Sequence, residues 1–361
     1  MNTTEVNSSP NGDCASPLGG CPIPISDYKE IVLAHGSGGR ISQQLLRRII
    51  LPQFSNELLA PQHDGAIFPI GGARVAFSTD SYVVNPLFFP GGDIGALAVH
   101  GTVNDLSMCG ARPLYLSAGF ILEEGLPMED FWRIVQSMRK AAAAAGVQFV
   151  TGDTKVVDRG KADGIFINTS GIGLVPAGVN INPTRAQAGD AILLSGAIAV
   201  HGIAVMSVRE GLEFETEIAS DTAALNSLVE SMLGVSKDIH VLRDPTRGGV
   251  TSALTEIAQT AGVSMHLEEA HIPIHEEVKG ACEILGLDPL YVANEGKLIA
   301  IVAAEMAEPI MKVMRAHPLG SDTAIIGQVT SGSPGVVTMK TRIGGTRIVD
   351  VLSGEQLPRI C

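Results

Sequence analysis

The sequence predicts a two-domain protein of α+β and α/β class, and three observations carry that expectation. At 361 residues the chain is long for one domain and suits two of ordinary size. Strand-like and helix-like segments alternate through both halves, but not as regular βαβ units. Between the halves, Pro, Gly and Asn cluster over residues 176–190, as expected of a boundary.

Taken in order, residues 1–30 carry Asn, Ser, Pro and Gly with little apolar periodicity and read as a disordered arm. The first domain spans 31–180. It opens with the glycine loop His35-Gly36-Ser37-Gly38-Gly39, followed by a predicted helix from Arg40 to Ile50. Arg74 to Ser78 alternates like a strand. Asp93 stands as an N-cap for a helix running to about Cys109. Leu114–Leu122 is a predicted strand, and 128–145 a helix stopped by Gly146. Two strands follow over 147–157 and 165–175. The second domain spans 187–343, with a buried strand at 191–195 and helices near 202–210, 221–233, 248–261 and 275–285. Strands are expected near 297–303 and 324–329. Residues 344–361 read as a mobile tail that includes a strand-like RIVDVL and ends in Cys361. Extended, it could reach roughly 50 Å at about 3.3 Å per residue.

The net charge of −13 argues against nucleic acid or an anionic membrane as partner. A phosphate-bearing substrate would have to be held by metal ions, backbone N–H groups or a few local cations. Five cysteines, at 14, 21, 109, 282 and 361, make an odd set without CxxC and suggest reduced, cytoplasmic thiols. No apolar run is long enough to span a membrane, and the polar N-terminus does not resemble a secretory signal. Neither GxxxxGK[ST] nor a strand–GxGxxG–helix occurs.

Four acidic positions punctuate the first half beside turns or strand ends: Asp64, Asp80, Asp105 and Asp153. Carboxylates in apolar surroundings are costly to bury unless paired or metal-bound, and hard oxygen ligands suit Mg²⁺. Asn104 and Asp105 interrupt an apolar helix. The alternative is that they hydrogen-bond a neighbouring loop. Gly36, Gly38 and Gly39 could turn N–H groups toward a phosphate, or could simply form a flexible connection. His35 is either a ligand or acid–base group, or a surface histidine. The run Arg243-Asp244-Pro245-Thr246-Arg247-Gly248-Gly249 reads as a tight turn into a helix whose N-terminus could meet an anion, or as an ordinary helix start. Cys361, last in the chain, packs no core. It is a dangling thiol or a functional one, and prenylation is excluded because that needs the cysteine fourth from the end.

Together FSTDSYVVNPLFFPGGDIGALAVHGTVNDLSMCGARP, TGDTKVV, RDPTRGG, ANEGK and the terminal PRIC resemble the HypE family of carbamoyl dehydratases. That family belongs to the superfamily of aminoimidazole ribonucleotide synthetase and selenophosphate synthetase. The resemblance runs from about Ile31 to Cys361. It implies an aminoimidazole ribonucleotide synthetase-like fold, with the N-terminal sheet pairing across a homodimer and ATP under the glycine-rich segment. It implies Asp64, Asp80, Asp105 and Asp153 as Mg-ATP carboxylates, with Asn104 alongside and Asp244 as a further acidic position in the second domain. The implied reaction is dehydration of an S-carboxamide on Cys361 to a thiocyanate, the source of cyanide for the iron of [NiFe]-hydrogenase.

Within that reaction Glu295 is the expected base. Lys155 is expected to polarise the oxygen or hold the γ-phosphate, and Arg247 and His35 are weaker phosphate contacts. The implied partners are the carbamoyltransferase HypF as donor and the HypC–HypD complex as acceptor. Within the superfamily, selenophosphate synthetases usually carry Cys or selenocysteine with Lys near the glycine loop, which LAHGSGGR lacks. A thiamine-phosphate kinase or purine synthetase has no reason to end in PRIC. A scaffold that merely carries a thiol-bound group would not need the filled set of aspartates.

Overall fold

A computed structural model describes residues 28–212, 218–352 and 359–360. The arm with Cys14 and Cys21, most of the expected tail, and Cys361 itself lie outside the described residues.

Helix α1 (Arg40–Leu45) passes through a π-turn at 46–50 into α2 (Leu51–Phe54). Pro52 has no N–H to return to residue 48, and the ladder loosens next to it. The first sheet is built from β1 (Ala66–Ile70) and β2 (Ala73–Tyr82). A two-residue ribbon, β3 (Phe88–Phe89) with β4 (Gly92–Asp93), leads into α3 (Ile94–Met108). Asp93 caps that helix as expected, its Oδ1 accepting from Gly95 N at 2.7 Å and Ala96 N at 3.0 Å. Then come β5 (Arg112–Glu123), α4 (Met128–Ala145), β6 (Gln148–Val157) and β7 (Ile165–Leu174). Gly146 ends α4 in the left-handed conformation, φ 71°, where a Cβ would be strained.

The strand order is β1-β2-β7-β5-β6. Only β5 and β6 run parallel, with α4 as their crossover. Helix α3 covers one face of this sheet and is buried almost all round, because α6 of the second domain packs on it as well. That explains why Asn104 and Asp105 stand out in an apolar helix: its polar positions are interior ones.

The second domain has β8 (Ala191–Leu194), α5 (Val200–Glu210), α6 (Asn226–Val235), β9 (Val241–Arg243), α7 (Gly249–Ala261), β10 (Ser264–Glu268) and α8 (Glu276–Leu285). It finishes with β11 (Ile299–Val302), α9 (Ala304–Arg315), β12 (Ala324–Thr330), β13 (Val337–Lys340) and β14 (Thr346–Val349). Its seven strands follow the order β14-β13-β10-β12-β8-β11-β9.

Several elements differ from the sequence expectation. Helix α9 was not foreseen, since Pro309 sits inside it and no side chain caps its start. Strands β9, β10 and β13 are short and were not foreseen. Helix α6 begins at Asn226 rather than 221, which leaves Asp221 in a loop. The stretch from 344 is not wholly a free tail: β14 pairs antiparallel with β13 from Val337↔Val349 to Lys340↔Thr346. Arg40 then binds this region twice, N–H to Leu352 O at 2.8 Å and Nη2 to Asp350 Oδ2 at 2.8 Å. Among the described residues no helix is long and apolar enough to cross a membrane.

Candidate functional site

The site lies where α3, β2 and the loop after β9 converge. Asp105 on α3, Asp64 just before β1 and Asp244 just after β9 bring carboxylate oxygens within 4.8 Å of one another. Such crowding has a cost that shows in their proton affinities. Burial, then the charges of Asp244, Asp64 and Asp80, pushes the Asp105 carboxyl well above its usual range. Burial and Asp64 push Asp244 up to about 8. Burial raises Asp64 to about 6, although the adjacent Arg243 pulls the other way. Asp80 is raised by burial, with Arg247 opposing. Several anions forced together in an apolar site call for a cation.

The local partners are too few to neutralise the cluster. Arg243 Nε meets Asp64 Oδ1 at 3.0 Å, but the same guanidinium is shared with Glu256 at 2.5 Å. Ser78 Oγ donates toward Asp105 Oδ2 at 2.6 Å. Asp64 Oδ2 is buried without a hydrogen-bond partner; His63 Nδ1 is 3.7 Å away, and burial lowers the pKa of that imidazole to about 3, so it brings no positive charge. This set of buried carboxylate oxygens, in excess over the cations that face them, fits a hard divalent ion. Asp64, Asp105 and Asp244 could hold it.

The glycine loop closes on the same place. Arg247 Nη1 donates to Gly36 O at 2.9 Å, and Ser252 Oγ to Gly38 O at 3.3 Å. Gly38 has φ 75°, and a Cβ there would stand 2.9 Å from Arg247 O, so only glycine lets the two loops approach. Gly39 precedes α1 as its N-cap. The structure turns His35 instead into its own turn, with Val32 N 3.0 Å from Nδ1 and Tyr28 edge-on at 5.3 Å. It is buried there, not a surface histidine.

Asn104 is a bridge. Its Nδ2 donates to Ala223 O at 3.0 Å and Glu295 O at 3.3 Å, and its Oδ1 accepts from Leu225 N at 2.8 Å. The loop-bonding alternative therefore describes this amide: it fastens α3 to the second domain. Glu295 is 3% exposed; burial, then the charges of Asp80, Asp105 and Glu295, raises the nearby Tyr82 hydroxyl well above its ordinary pKa.

Asp153 and Lys155 are elsewhere, so a single chain does not bring all four expected carboxylates together. They form an ion pair of 2.5 Å on edge strand β6, with side chains 70% and 69% exposed. Asp153 lies opposite Gly119 and Lys155 opposite Ile121, on the sheet face that α3 does not cover. Within one chain Asp244 takes the place expected of Asp153. A groove of about 900 Å³ beside β6 is lined mainly by apolar side chains, among them Phe120, Met138, Ala142 and Phe149, with Arg139, Gln148 and Thr151 also in its wall.

Four residues escaped the sequence reading. Tyr82 sits inside a quoted motif and has its hydroxyl where Gly101 leaves space, since a Cβ on Gly101 would lie 2.1 Å from it. Lys297 Nζ meets Asp221 Oδ2 at 2.5 Å, both largely buried. His201 is fully buried on α5. Lys297 stood in ANEGK and could have been weighed. Asp221 and His201 carry no local signal, because only folding brings them near.

Comparisons with known proteins agree with this architecture. The family model of the AIR synthase related protein, N-terminal domain, matches residues 62–175, and that of its C-terminal domain matches 187–340. The carbamoyl dehydratase HypE of Cupriavidus necator is 57% identical over 341 residues, covering 94% of this chain and 97% of that protein. A solved HypE–HypF complex superposes with TM-score 0.81 at 49% identity, over 85% of this chain and 99% of the other. A HypE structure in complex with ATP gives TM-score 0.78 at 52% identity, over 91% and 98%. With both domains matched and over half the residues identical along nearly the full length, this chain belongs to the HypE family of carbamoyl dehydratases.

Proposed function

We propose that this chain uses ATP to dehydrate an S-carboxamide carried on Cys361 to a thiocyanate, for delivery as cyanide to a hydrogenase iron centre. The observation that carries the reading is the convergence of Asp64, Asp80, Asp105 and Asp244 with the glycine loop and Glu295, in a chain whose last residue is a thiol.

An S–C(=O)–NH₂ group loses water poorly because oxide is a bad leaving group. Attack of the carboxamide oxygen on the γ-phosphorus of ATP forms a C–O–P linkage and releases ADP, with one N–H proton lost. Removal of the second N–H proton forms C≡N and breaks the C–O bond. The oxygen leaves as phosphate, which at neutral pH keeps one of the two protons and releases the other. Glu295 is the base for the nitrogen. Arg247 and the glycine-loop N–H groups orient the phosphates. Mg²⁺ on Asp64, Asp105 and Asp244 would neutralise charge on the transferring phosphoryl.

Pairing of two copies accounts for Asp153 and Lys155. The open face of the first sheet exposes Phe77, Tyr115, Ile121, Ile172 and Leu174, an apolar patch suited to a second copy. Asp153 and Lys155 share that face, and at a seam between subunits they can serve a nucleotide. A HypF-type carbamoyltransferase would load Cys361, and a HypC–HypD-type complex would accept the cyanide in the cytoplasm.

The test is intact mass of the chain after incubation with HypF, carbamoyl phosphate and Mg-ATP, beside Cys361→Ser. A carbamoyl adduct on Cys361 that loses one water only with an intact ATP site is the expected result. No adduct, or one elsewhere, would overturn the reading. In Glu295→Gln the adduct should form and persist, and continued thiocyanate formation would remove Glu295 as base.

A further inference from the structure

We infer that His201 is a positioning residue for Cys361, holding the peptide unit that leads into the terminal thiol. This rests on the reading that Cys361 carries the carbamoyl group. Of the last described residues, Arg359 is part-buried, while Ile360 is 1% exposed and belongs to the apolar cluster that joins residues of the first domain to those of α5 and α8. The carbonyl of Ile360 belongs to the peptide bond between 360 and 361. It lies 3.0 Å from His201 Nε2.

A carbonyl only accepts, so His201 Nε2 carries the hydrogen. Nδ1 is then the acceptor, and the Ser220 hydroxyl donates to it at 2.8 Å. Ser220 Oγ in turn accepts from Thr222 N–H at 3.2 Å, and Ser220 N donates to Pro90 O at 2.7 Å, which fixes the serine. Phe89 stands edge-on to the imidazole at 5.5 Å and 82°. The ring therefore has one tautomer and one orientation, and burial favours its neutral form.

A second side chain of the same helix acts one residue earlier. Arg209 Nη2 donates to Arg359 O at 2.6 Å, and its Nε to Asn85 O at 2.9 Å. Asn85 N–H also reaches Arg359 O at 3.3 Å, and the Arg359 guanidinium pairs with Asp163. Two consecutive carbonyls ahead of the terminal cysteine are thus held by α5. Arg359 has φ 50°, an uncommon conformation for a residue with a Cβ, kept in place by these contacts.

The seat is built into the proposed reaction centre. Residues 220–222 hold His201 through Ser220, Lys297 through Asp221 and His100 through Thr222, whose Oγ1 is 3.1 Å from His100 Nδ1. A Cβ on Gly296 would come 1.9 Å from Asp221 O, so this segment rests directly on the Glu295 loop. Holding the Ile360 carbonyl anchors the chain one residue ahead of Cys361, and such anchoring is what presenting a carboxamide oxygen to a phosphorus requires.

The experiment uses full-length wild type, His201→Ala, His201→Gln and Ser220→Ala. Alkylation of each cysteine by iodoacetamide is followed by peptide mass mapping, and single-turnover dehydration is followed on the pre-carbamoylated chain. In His201→Ala, alkylation of Cys361 should quicken by about tenfold and dehydration slow by a similar factor, the order expected for one buried hydrogen bond. Nucleotide affinity should not change, and Cys109 and Cys282 should stay protected. His201→Gln, whose amide N–H can reach the same carbonyl, should recover much of the effect, and Ser220→Ala should show a smaller one. Unchanged Cys361 reactivity and dehydration in His201→Ala would overturn the inference. So would equal losses in Ala and Gln variants with Cys282 exposed, the mark of a merely structural histidine. If wild type itself does not dehydrate, the proposed function fails, and the alkylation series still decides the role of His201.

Discussion

Asp105 and Asp153 look alike in the sequence, each an acidic residue in a short polar break between apolar runs, yet the fold treats them oppositely. Asp105 is interior, its carboxyl pushed well up by burial and by Asp244, Asp64 and Asp80. Asp153 is exposed, and its hydrogen bond from Lys155 holds its carboxyl below the usual range. The difference is one of sheet face. Helix α3 packs on the side of β2 that carries Ser78 and Tyr82, whereas the register of β6 against β5 turns Asp153 outward. A buried carboxylate cluster stores repulsion that a cation can relieve, and an exposed ion pair stores almost none.

The most severe way to test this contrast is Asp105→Asn. Dehydration should fall by about 10³-fold or more, as expected when a phosphoryl-transfer metal ligand is lost. In EDTA the same variant should melt higher than wild type, since an amide at this position needs neither a buried charge nor the uptake of a proton to occupy the site. Differential scanning calorimetry and single-turnover assays check both halves, and a lower melting point would contradict the repulsion argument.

Asp153→Asn should also lose dehydration while leaving the melting temperature unchanged. Mixing it with Asp105→Asn sharpens the comparison. If Asp153 serves the partner subunit's nucleotide, random exchange of subunits should restore about a quarter of wild-type activity. If it serves only its own chain, the mixture stays inactive.

A smaller effect follows from the raised carboxylates. In the unfolded chain Asp244 loses its proton near 3.8, whereas in the folded, metal-free chain it keeps it up to about 8. Between those values the folded state binds more protons, so stability should fall as pH rises and level off above about 8. Added Mg²⁺ should restore most of the loss at the alkaline end and little at pH 4. Melting curves in EDTA that are flat across this window would show that the cluster is not strained. Lys155→Met, finally, should leave stability unaltered, because its ion pair is solvent-screened.

Much of this was legible before folding. The Asp93 cap, the helix ended by Gly146, and the strands around Arg74–Ser78 and Leu114–Leu122 follow from local rules of capping and alternation. The acidic motifs and glycine loop pointed to phosphate chemistry. Helix α9 was hidden by Pro309, and β14 lay inside a stretch whose glycines suggested a free tail. His201 and Asp221 could not be found at all, since their meaning depends on partners 159 and 76 positions away, Ile360 and Lys297.

The sequence by itself determined composition, the start of α3 and the end of α4, the family signature and a terminal thiol, because these depend on neighbours along the chain. Tertiary structure alone decided which carboxylates share a charge cluster, that Asn104 is a bridge, and that Ile360 is seated against His201. Those outcomes depend on which sheet face a strand presents and on distances between remote residues, and no local pattern encodes either.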